Sequence, residues 1–156
     1  MLSTIPDISG QWLGRFTYGS EYGELSGKEV TFNLVVENIG DGQFQGKCHE
    51  IEGIGSNPNV STITGYVEDA HIQFVKDYPI YYSIEPDGSM QENKSAINPL
   101  IMYEGDFEHE AQKYVGAWEI ETNHGETLNG YLLSYSSGTW EMHKVSSAAA
   151  NTGLPK

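Results

Sequence analysis

The stretch that decides the fold lies between Leu100 and Glu121 and reads LIMYEGDFEHEAQKYVGAWEIE. Large apolar residues alternate with acids along both of its halves. A period of two puts neighbouring side chains on opposite faces of a strand. The stretch therefore predicts two antiparallel strands, joined by a short turn, with one buried face and one acidic face. The residues expected on the buried face are Tyr103, Phe107, Tyr114, Trp118 and Ile120.

Both predicted strands carry a glycine between two large residues, at Gly105 and at Gly116. The same unit, or a close variant, recurs around Gly14, Gly46 and Gly65. A glycine on the inward face lets a strand bend sharply without crowding the interior, which a small closed sheet needs at its corners. The repeated unit therefore predicts a small β-barrel.

The composition supports one all-β domain. The chain has 156 residues, with 18 glycines and 10 tyrosines, and a chain of this length buries roughly two-thirds of its unfolded surface. Its formal net charge is −14, so phosphate backbones and anionic lipid surfaces would be repelled. We expect no nucleic-acid partner and no membrane partner.

Alternation along the rest of the chain predicts eight strands and two further short ones. The eight are 8–19, 28–38, 43–51, 60–68, 70–78, the two strands within 100–121, and 138–145, and the short ones are 80–84 and 128–135. We therefore expect an all-β fold, a single antiparallel up-and-down barrel of eight strands, or up to ten, over residues 1–145. Residues 146–156 are expected to form a disordered tail. The irregular region 79–99 is expected to be a long excursion or an extra strand between loops.

The cysteine count and the first residues bear on the cellular compartment. Cys48 is the single cysteine, so no disulfide can form within the chain. The first residues show no basic segment followed by an apolar one, and no run of about 18 apolar residues occurs. We expect a soluble cytoplasmic protein.

Several short motifs, taken in chain order, resemble the strands of the avidin and streptavidin family, which opens on Gly-x-Trp and repeats a glycine-centred strand unit. They are Gly10-Gln-Trp12, Phe44-Gln-Gly46, Ile63-Thr-Gly65, Tyr103-Glu-Gly105, Val115-Gly-Ala-Trp118 and Gly138-Thr-Trp140. Lipocalins and other calycin-like barrels share some of them. The resemblance implies a barrel that binds one small molecule and assembles into a dimer or tetramer.

The resemblance also locates a ligand site. Trp118 falls where the family has a ligand-lining tryptophan on its seventh strand, and Tyr103 falls near the tryptophan of the sixth. Gly138 stands where the family has an aspartate that binds the biotin ureido group, and the first strand ends in Thr17-Tyr-Gly19 rather than in small polar residues. Most groups that would hydrogen-bond biotin are therefore missing, and the sequence argues against biotin as the ligand.

In an eight-stranded meander, the ends of odd strands and the starts of even strands share one mouth. Inward parity brings to that mouth Tyr18, Cys48, Glu50, Lys76, Tyr103, Trp118, Ile120 and Trp140. Apolar walls with a few converging polar groups are typical of a small-molecule site. The sequence therefore favours non-catalytic binding of a small apolar or amphipathic molecule. In the alternative interpretation, the aromatic residues are ordinary core, and Glu50 and Lys76 lie at the wet rim, where they form a pair.

Two further functions stay open at this point. Glu50, Lys76 and the tyrosines would serve acid/base isomerisation or dehydration if the cavity buried a carboxylate with a shifted pKa. Alternatively, the outer surface of the barrel mediates assembly while the interior is only packing. That hypothesis depends on apolar residues of outward parity, namely Leu13, Val35, Tyr66, Val75 and Val115.

Metal and nucleophile chemistry have little support in the sequence. The histidines are His49, His71, His109, His124 and His143. They lack the spacing of common metal motifs, so we expect solvated surface residues, no metal site and no cofactor. Cys48 and His49 are adjacent in a predicted strand and therefore point to opposite faces, which rules them out as a catalytic pair inside the barrel.

Overall fold

The computed structural model describes residues 7–85, 87–92, 99–128 and 130–146. The strands in this part are β1 (Gly10–Thr17), β2 (Glu29–Gly40), β3 (Gln43–Glu52), β4 (Ser61–Glu68), β5 (His71–Asp77), β6 (Tyr82–Ile84), β7 (Met90–Glu92), β8 (Ile101–Glu108), β9 (Lys113–Thr127) and β10 (Gly130–Ser146). A short 3₁₀ segment, Ser20–Leu25, follows β1 and is kinked at Gly23. The predicted tail lies outside the described residues from residue 147 onward.

Eight of these strands close into a barrel in the order β1-β10-β9-β8-β5-β4-β3-β2. Every neighbouring pair in that order is antiparallel. The predicted all-β fold, an antiparallel eight-stranded barrel, is therefore confirmed. Strands β6 and β7 pair only with each other, in the connection between β5 and β8.

Two of the predicted strand boundaries are wrong. The segments 128–135 and 138–145 are not separate strands, because β10 pairs with β9 from Gly130 to His143 with one register shift between Tyr131 and Leu133. The small residues at 136–138 interrupt the apolar alternation, but they pair with β9 like their neighbours, so the strand continues through them. The extra strand expected at 80–84 is shorter than predicted and begins at Tyr82.

The inward faces follow the predicted alternation. Along β8 the side chains are alternately buried and exposed, and the buried residues of β8, β9 and β10 include Tyr103, Tyr114, Trp118 and Trp140. This alternation places one continuous aromatic core inside the barrel. The interior is therefore built mainly from rings.

The inward glycines allow neighbouring strands to approach closely. Gly105 lies opposite Gly116 in the β8–β9 ladder. A Cβ added at Gly116 would lie 1.9 Å from the carbonyl oxygen of Glu104, so no larger residue fits there without moving the backbone. The predicted need for glycine in this unit thus has a direct steric cause.

The two ends of the barrel differ in their connections. Tight turns at one end place Asp41, Asp69 and Gln112 at positive φ values of 54°, 53° and 55°, and we call it the closed end. At the opposite end, which we call the mouth, the strands are joined by three longer connections, residues 18–28, 53–60 and 78–100, and by the short connection between Thr127 of β9 and Gly130 of β10. In the part of the chain that the structure describes, no helix is long and apolar enough to cross a membrane.

Candidate functional site

A cavity lies at the mouth of the barrel and has a volume of about 50 Å³. Its aromatic lining residues are Phe16, Tyr18, Tyr22, Tyr78, Tyr81, Tyr82, Tyr103 and Trp118, and its other lining residues are Gly55, Asn57, Ile84, Ile101 and Ile120. A single water needs about 10–15 Å³ of such space. The cavity therefore has space for a few waters or for a compact chemical group.

A buried ion pair lies close behind the cavity wall. Glu50 of β3 is 5% exposed and Lys76 of β5 is 1% exposed, and Lys76 Nζ lies 3.2 Å from Glu50 Oε2. The interpretation that placed both residues at a wet rim is wrong. The reason is that Asn57, in the 53–60 connection, folds over the carboxylate and is itself 4% exposed.

The Glu50 carboxylate receives three donors. The Tyr78 hydroxyl and the Lys76 ammonium donate to Oε2, and the backbone N–H of Asn57 donates to Oε1 over 2.7 Å. Charge-assisted hydrogen bonds of this kind compensate the cost of burying a carboxylate. Glu50 is therefore a structural anchor for Tyr78 and Asn57, both of which line the cavity.

The Lys76 ammonium is also surrounded by aromatic rings. Its Nζ lies 4.9 Å from the ring centroid of Phe16, 5.0 Å from that of Tyr103 and 5.4 Å from those of Phe32 and Tyr78. Burial works against the charged form, but the neighbouring Cys48, Tyr103, Tyr78 and Glu50 outweigh it and raise the pKa of Lys76 well above its ordinary value. Lys76 therefore stays charged inside the barrel.

Asn57 ties the mouth segments together. Its side-chain amide donates to the Ile80 carbonyl over 2.8 Å, and its Oδ1 accepts the backbone N–H of Asn59 at 2.9 Å. Together with the bond from its own N–H to Glu50, this joins the 53–60 connection to the segment after β5. Those two segments form part of the cavity wall, so Asn57 helps to set its shape.

Tyr18 packs on the 53–60 connection from the barrel side. Its hydroxyl donates to the Ile54 carbonyl over 2.7 Å. The next residue, Gly55, has a φ of 86°, and a Cβ there would lie 2.3 Å from the Tyr18 hydroxyl oxygen. Both the backbone conformation and the close approach require glycine. Burial raises the pKa of Tyr18 above its ordinary value, so the phenol stays a neutral donor.

Trp118 lines the cavity with its ring but not with its N–H group. The indole Nε1 donates to the Thr17 carbonyl over 2.8 Å. A Cβ at Gly138 would lie 2.5 Å from the same Nε1, so the indole leaves no space for a side chain at this position. The site therefore offers a ligand an aromatic surface at this point.

Trp140 lies in the core. Its indole N–H is shared between the carbonyls of Glu104 and Ala117, each at 3.1 Å. Its ring meets those of Phe74 and Tyr103 edge to face, at 5.5 and 5.6 Å. It therefore contributes to the cavity only through Tyr103.

All eight residues predicted at the mouth are buried, but they separate into two groups. Four of them line the cavity, namely Tyr18, Tyr103, Trp118 and Ile120, while Cys48, Glu50, Lys76 and Trp140 do not. The sequence interpretation placed this second group on the cavity wall as well, and the structure corrects it on that point. Parity fixes which face a side chain takes, but it does not tell which of the inward residues another side chain covers.

Sequence reasoning missed the lining residues that belong to connections. They include Tyr22, Gly55, Asn57, Tyr78, Tyr81 and Ile84. Their one available signal was the run Tyr-Pro-Ile-Tyr-Tyr at residues 78–82, which concentrates tyrosine just where the regular alternation stops.

Groups suited to other chemistry do not converge at the mouth. Burial raises the pKa of the Cys48 thiol, and His49 is exposed on the opposite face of β3. His71 is on the outer surface, 3.1 Å from Glu104 and 3.3 Å from Asp106. His109 and His143 are exposed, whereas the side chain of His124 lies outside the described part. The described ranges hold no group of three or more His, Cys, Asp or Glu placed to bind a metal.

The apolar residues predicted to mediate assembly lie on the outside of the barrel. Leu13, Val35, Val75 and Val115 are half-buried there, and Tyr66 is 38% exposed. The Tyr66 hydroxyl donates to Gln73 on the neighbouring strand over 2.8 Å. Assembly through this face stays a prediction.

Comparison with known proteins finds similarity only among solved structures. No protein-family model matches the chain, and no curated protein sequence matches it. Similar solved structures include apo shwanavidin, with 12% identity, a TM-score of 0.45 and coverage of 88% of this chain and 99% of that one. Rhizavidin has 13% identity, a TM-score of 0.42 and coverage of 88% and 87%.

Proposed function

We propose that this protein is a non-catalytic binding barrel that takes a small, apolar or amphipathic molecule into the cavity at its mouth. The observation that carries the proposal is the lining of that cavity, in which eight of thirteen residues are aromatic and the rest are Gly55, Asn57 and three isoleucines. A concave, mainly apolar surface with a few placed polar groups is typical of ligand sites.

The arrangement of Glu50 favours binding over catalysis. A general base must reach the proton that it removes. The Glu50 carboxylate is absent from the cavity lining, and it already accepts hydrogen bonds from Tyr78, Lys76 and Asn57. Its burial satisfies one requirement of an acid/base enzyme, but its occupied oxygens suit the role of an anchor for the wall.

The size of the cavity sets an expectation for the ligand. Ligand pockets for drug-sized molecules usually measure about 300–1,000 Å³, and this cavity is smaller. Tyr81 and Tyr82 lie outside the barrel strands, in the connection after β5. We expect a ligand to widen the cavity by moving these two side chains while the barrel residues Phe16, Tyr103 and Trp118 stay in place.

A blocking substitution tests the proposal. Ile84 is half-buried and lines the cavity, so Ile84→Trp is designed to fill it. Ile39→Trp places the same extra volume at the closed end, where Ile39 is 49% exposed. A thermal-shift screen of small metabolites, with native mass spectrometry of the hits, is run on the wild-type protein and on both variants.

A ligand present at a hundred times its Kd stabilises the folded state by about 2.7 kcal/mol, which raises the melting temperature by roughly 5–10 °C for a domain of this size. We expect that rise in the wild type and in Ile39→Trp, and its loss in Ile84→Trp. The proposal fails if no compound shifts the wild type, or if Ile84→Trp binds every hit as the wild type does.

A further inference from the structure

Four of the lining rings contact one another in a closed cycle, which we call the box. Tyr18 contacts Tyr22 with ring centroids 4.8 Å apart, Tyr22 contacts Trp118 at 6.1 Å, Trp118 contacts Phe16 at 5.9 Å, and Phe16 contacts Tyr18 at 5.8 Å. The angles between these ring planes run from 53° to 87°. Neighbouring rings of the box are therefore tilted toward one another rather than stacked.

The electrostatic surroundings of the box favour positive charge. None of the thirteen lining residues in the described part carries a formal charge. The mouth connections contribute five acids, Glu21, Glu24, Glu85, Asp87 and Glu92, against two bases, Lys28 and Lys94. The whole chain has a formal net charge of −14. A low-dielectric recess behind an acidic rim concentrates cations from solution.

The protein already holds one cation among the same kind of rings. Lys76 Nζ lies about 5 Å from the rings of Phe16 and Tyr103, and both of these residues also line the cavity. Glu50 lies 3.2 Å from that ammonium, so the pair brings no net charge to the wall. Lys76 therefore does not repel a second cation as an unpaired lysine would.

We propose that the mouth cavity binds a small organic cation, a quaternary or tertiary alkylammonium group, against the rings of Phe16, Tyr18, Tyr22 and Trp118. The faces of aromatic rings are electron-rich and attract ammonium groups within about 6 Å, and cages of such rings recognise methylated ammonium ions. A compact ammonium head also suits the small volume of the cavity. This inference rests on the proposed function and names its ligand class.

A matched pair of ligands tests the inference on the wild-type protein. Choline is compared with its neutral isostere, in which a carbon atom replaces the nitrogen, by isothermal titration calorimetry. The two molecules have nearly the same shape, so a difference in Kd reports the charge. We expect choline to bind at least tenfold more tightly, and we expect its affinity to fall as salt is added because the rim is acidic.

Each other outcome separates this inference from the proposed function. If the neutral isostere binds as tightly as choline, the cation inference is overturned and the binding barrel stands. If neither binds while the metabolite screen gives hits that Ile84→Trp abolishes, the cation inference alone is overturned. If neither binds and the screen is empty, both proposals fail.

A ring-removing variant then locates the binding site. Tyr22 is half-buried in the 3₁₀ segment outside the barrel strands, so Tyr22→Leu removes one ring of the box with little change to the core. We expect choline to bind about tenfold more weakly to it. Tyr66→Leu, on the outer surface, is the control and is expected to bind choline as the wild type does. Equal binding by both variants would place the cation elsewhere and overturn the inference.

Discussion

The two ends of the barrel interior are filled in different ways. At the closed end, the Tyr114 ring packs directly against those of Phe107 and Trp12, with centroids 5.0 and 5.5 Å apart. At the mouth, rings surround a cavity, and a charged pair, Glu50 and Lys76, is buried behind its wall. Stability at the closed end therefore depends on ring packing, whereas stability at the mouth depends on a polar network that also shapes the cavity.

The largest expected effect on stability comes from breaking the buried pair at the mouth. Lys76→Met leaves Glu50 buried without its counter-ion, and removing one partner of such a pair destabilises a protein by about 3–5 kcal/mol. We expect this loss in the free energy of unfolding, measured by urea denaturation. We expect part of this loss to come from rearrangement of the mouth, because Glu50 also accepts hydrogen bonds from Tyr78 and Asn57.

The control for this substitution is the double variant Glu50→Gln with Lys76→Met. The glutamine oxygen still accepts a hydrogen bond from Tyr78 or Asn57, and no charge is left in the interior. Replacing a whole buried pair by neutral groups is often close to neutral for stability, so we expect most of the lost free energy to return. If the double variant is as unstable as Lys76→Met, the network holds the mouth by something other than charge compensation.

An intermediate effect compares one tryptophan from each end. Trp12 is fully buried and donates to the Ile8 carbonyl over 2.8 Å, and Trp118 donates to the Thr17 carbonyl over the same distance. Replacing either tryptophan with phenylalanine removes the hydrogen bond that its carbonyl acceptor receives. Trp12→Phe also opens a void in packed core, so we expect a loss of about 2–3 kcal/mol there and about 1–2 kcal/mol for Trp118→Phe.

Ligand affinity distinguishes Trp118 from Trp12 more clearly than the loss of stability does. We expect Trp118→Phe to weaken any ligand of the cavity, and Trp12→Phe to leave the affinity unchanged once the protein is folded. Calorimetric titration of both variants with the same compound tests this. A ligand that responds to Trp12→Phe instead would place the binding site at the closed end.

The sequence predicted the barrel interior well because strand parity is a local property. Alternation alone identified Tyr103, Phe107, Tyr114, Trp118 and Ile120 as inward, and the structure buries all five. The glycine unit predicted a closed sheet. Both signals depend only on residues two positions apart along one strand, and no knowledge of the partner strands was needed.

The candidate site was less predictable because connections supply more than half of the residues that line it. Tyr22, Asn57 and Tyr81 follow no period, and the tyrosine run at residues 78–82 was the one signal for part of this wall. The depth of Lys76 depends on how Asn57 covers Glu50, which joins residues from separate connections and strands. Long-range contacts of this kind leave no trace in local alternation, and the pair was therefore assigned to the cavity or to a wet rim.

The smallest expected effect concerns the closed end. Tyr114 is fully buried, and its hydroxyl has no hydrogen-bond partner in the described part of the structure. A buried donor without a partner costs free energy, and replacing it by an apolar group of the same shape relieves that cost. We therefore expect Tyr114→Phe to leave stability unchanged or to raise it by up to about 1 kcal/mol in urea denaturation. The matched change at the mouth, Tyr78→Phe, removes a donor to Glu50 and is expected to cost about 1–3 kcal/mol.

The pH dependence gives Tyr114→Phe a second readout. Burial raises the pKa of Tyr114 from its ordinary value of 10.0 to about 12. Above pH 10 the unfolded chain therefore loses this proton while the folded protein keeps it, so the stability held below pH 10 falls as the pH rises toward 12. Without the phenol, Tyr114→Phe should lose stability less steeply across that window. The measurement is urea denaturation repeated from pH 9 to pH 12. Equal slopes for the variant and the wild type would mean that the hydroxyl is hydrated or bonded in solution. The closed end would then be less tightly packed than the structure indicates.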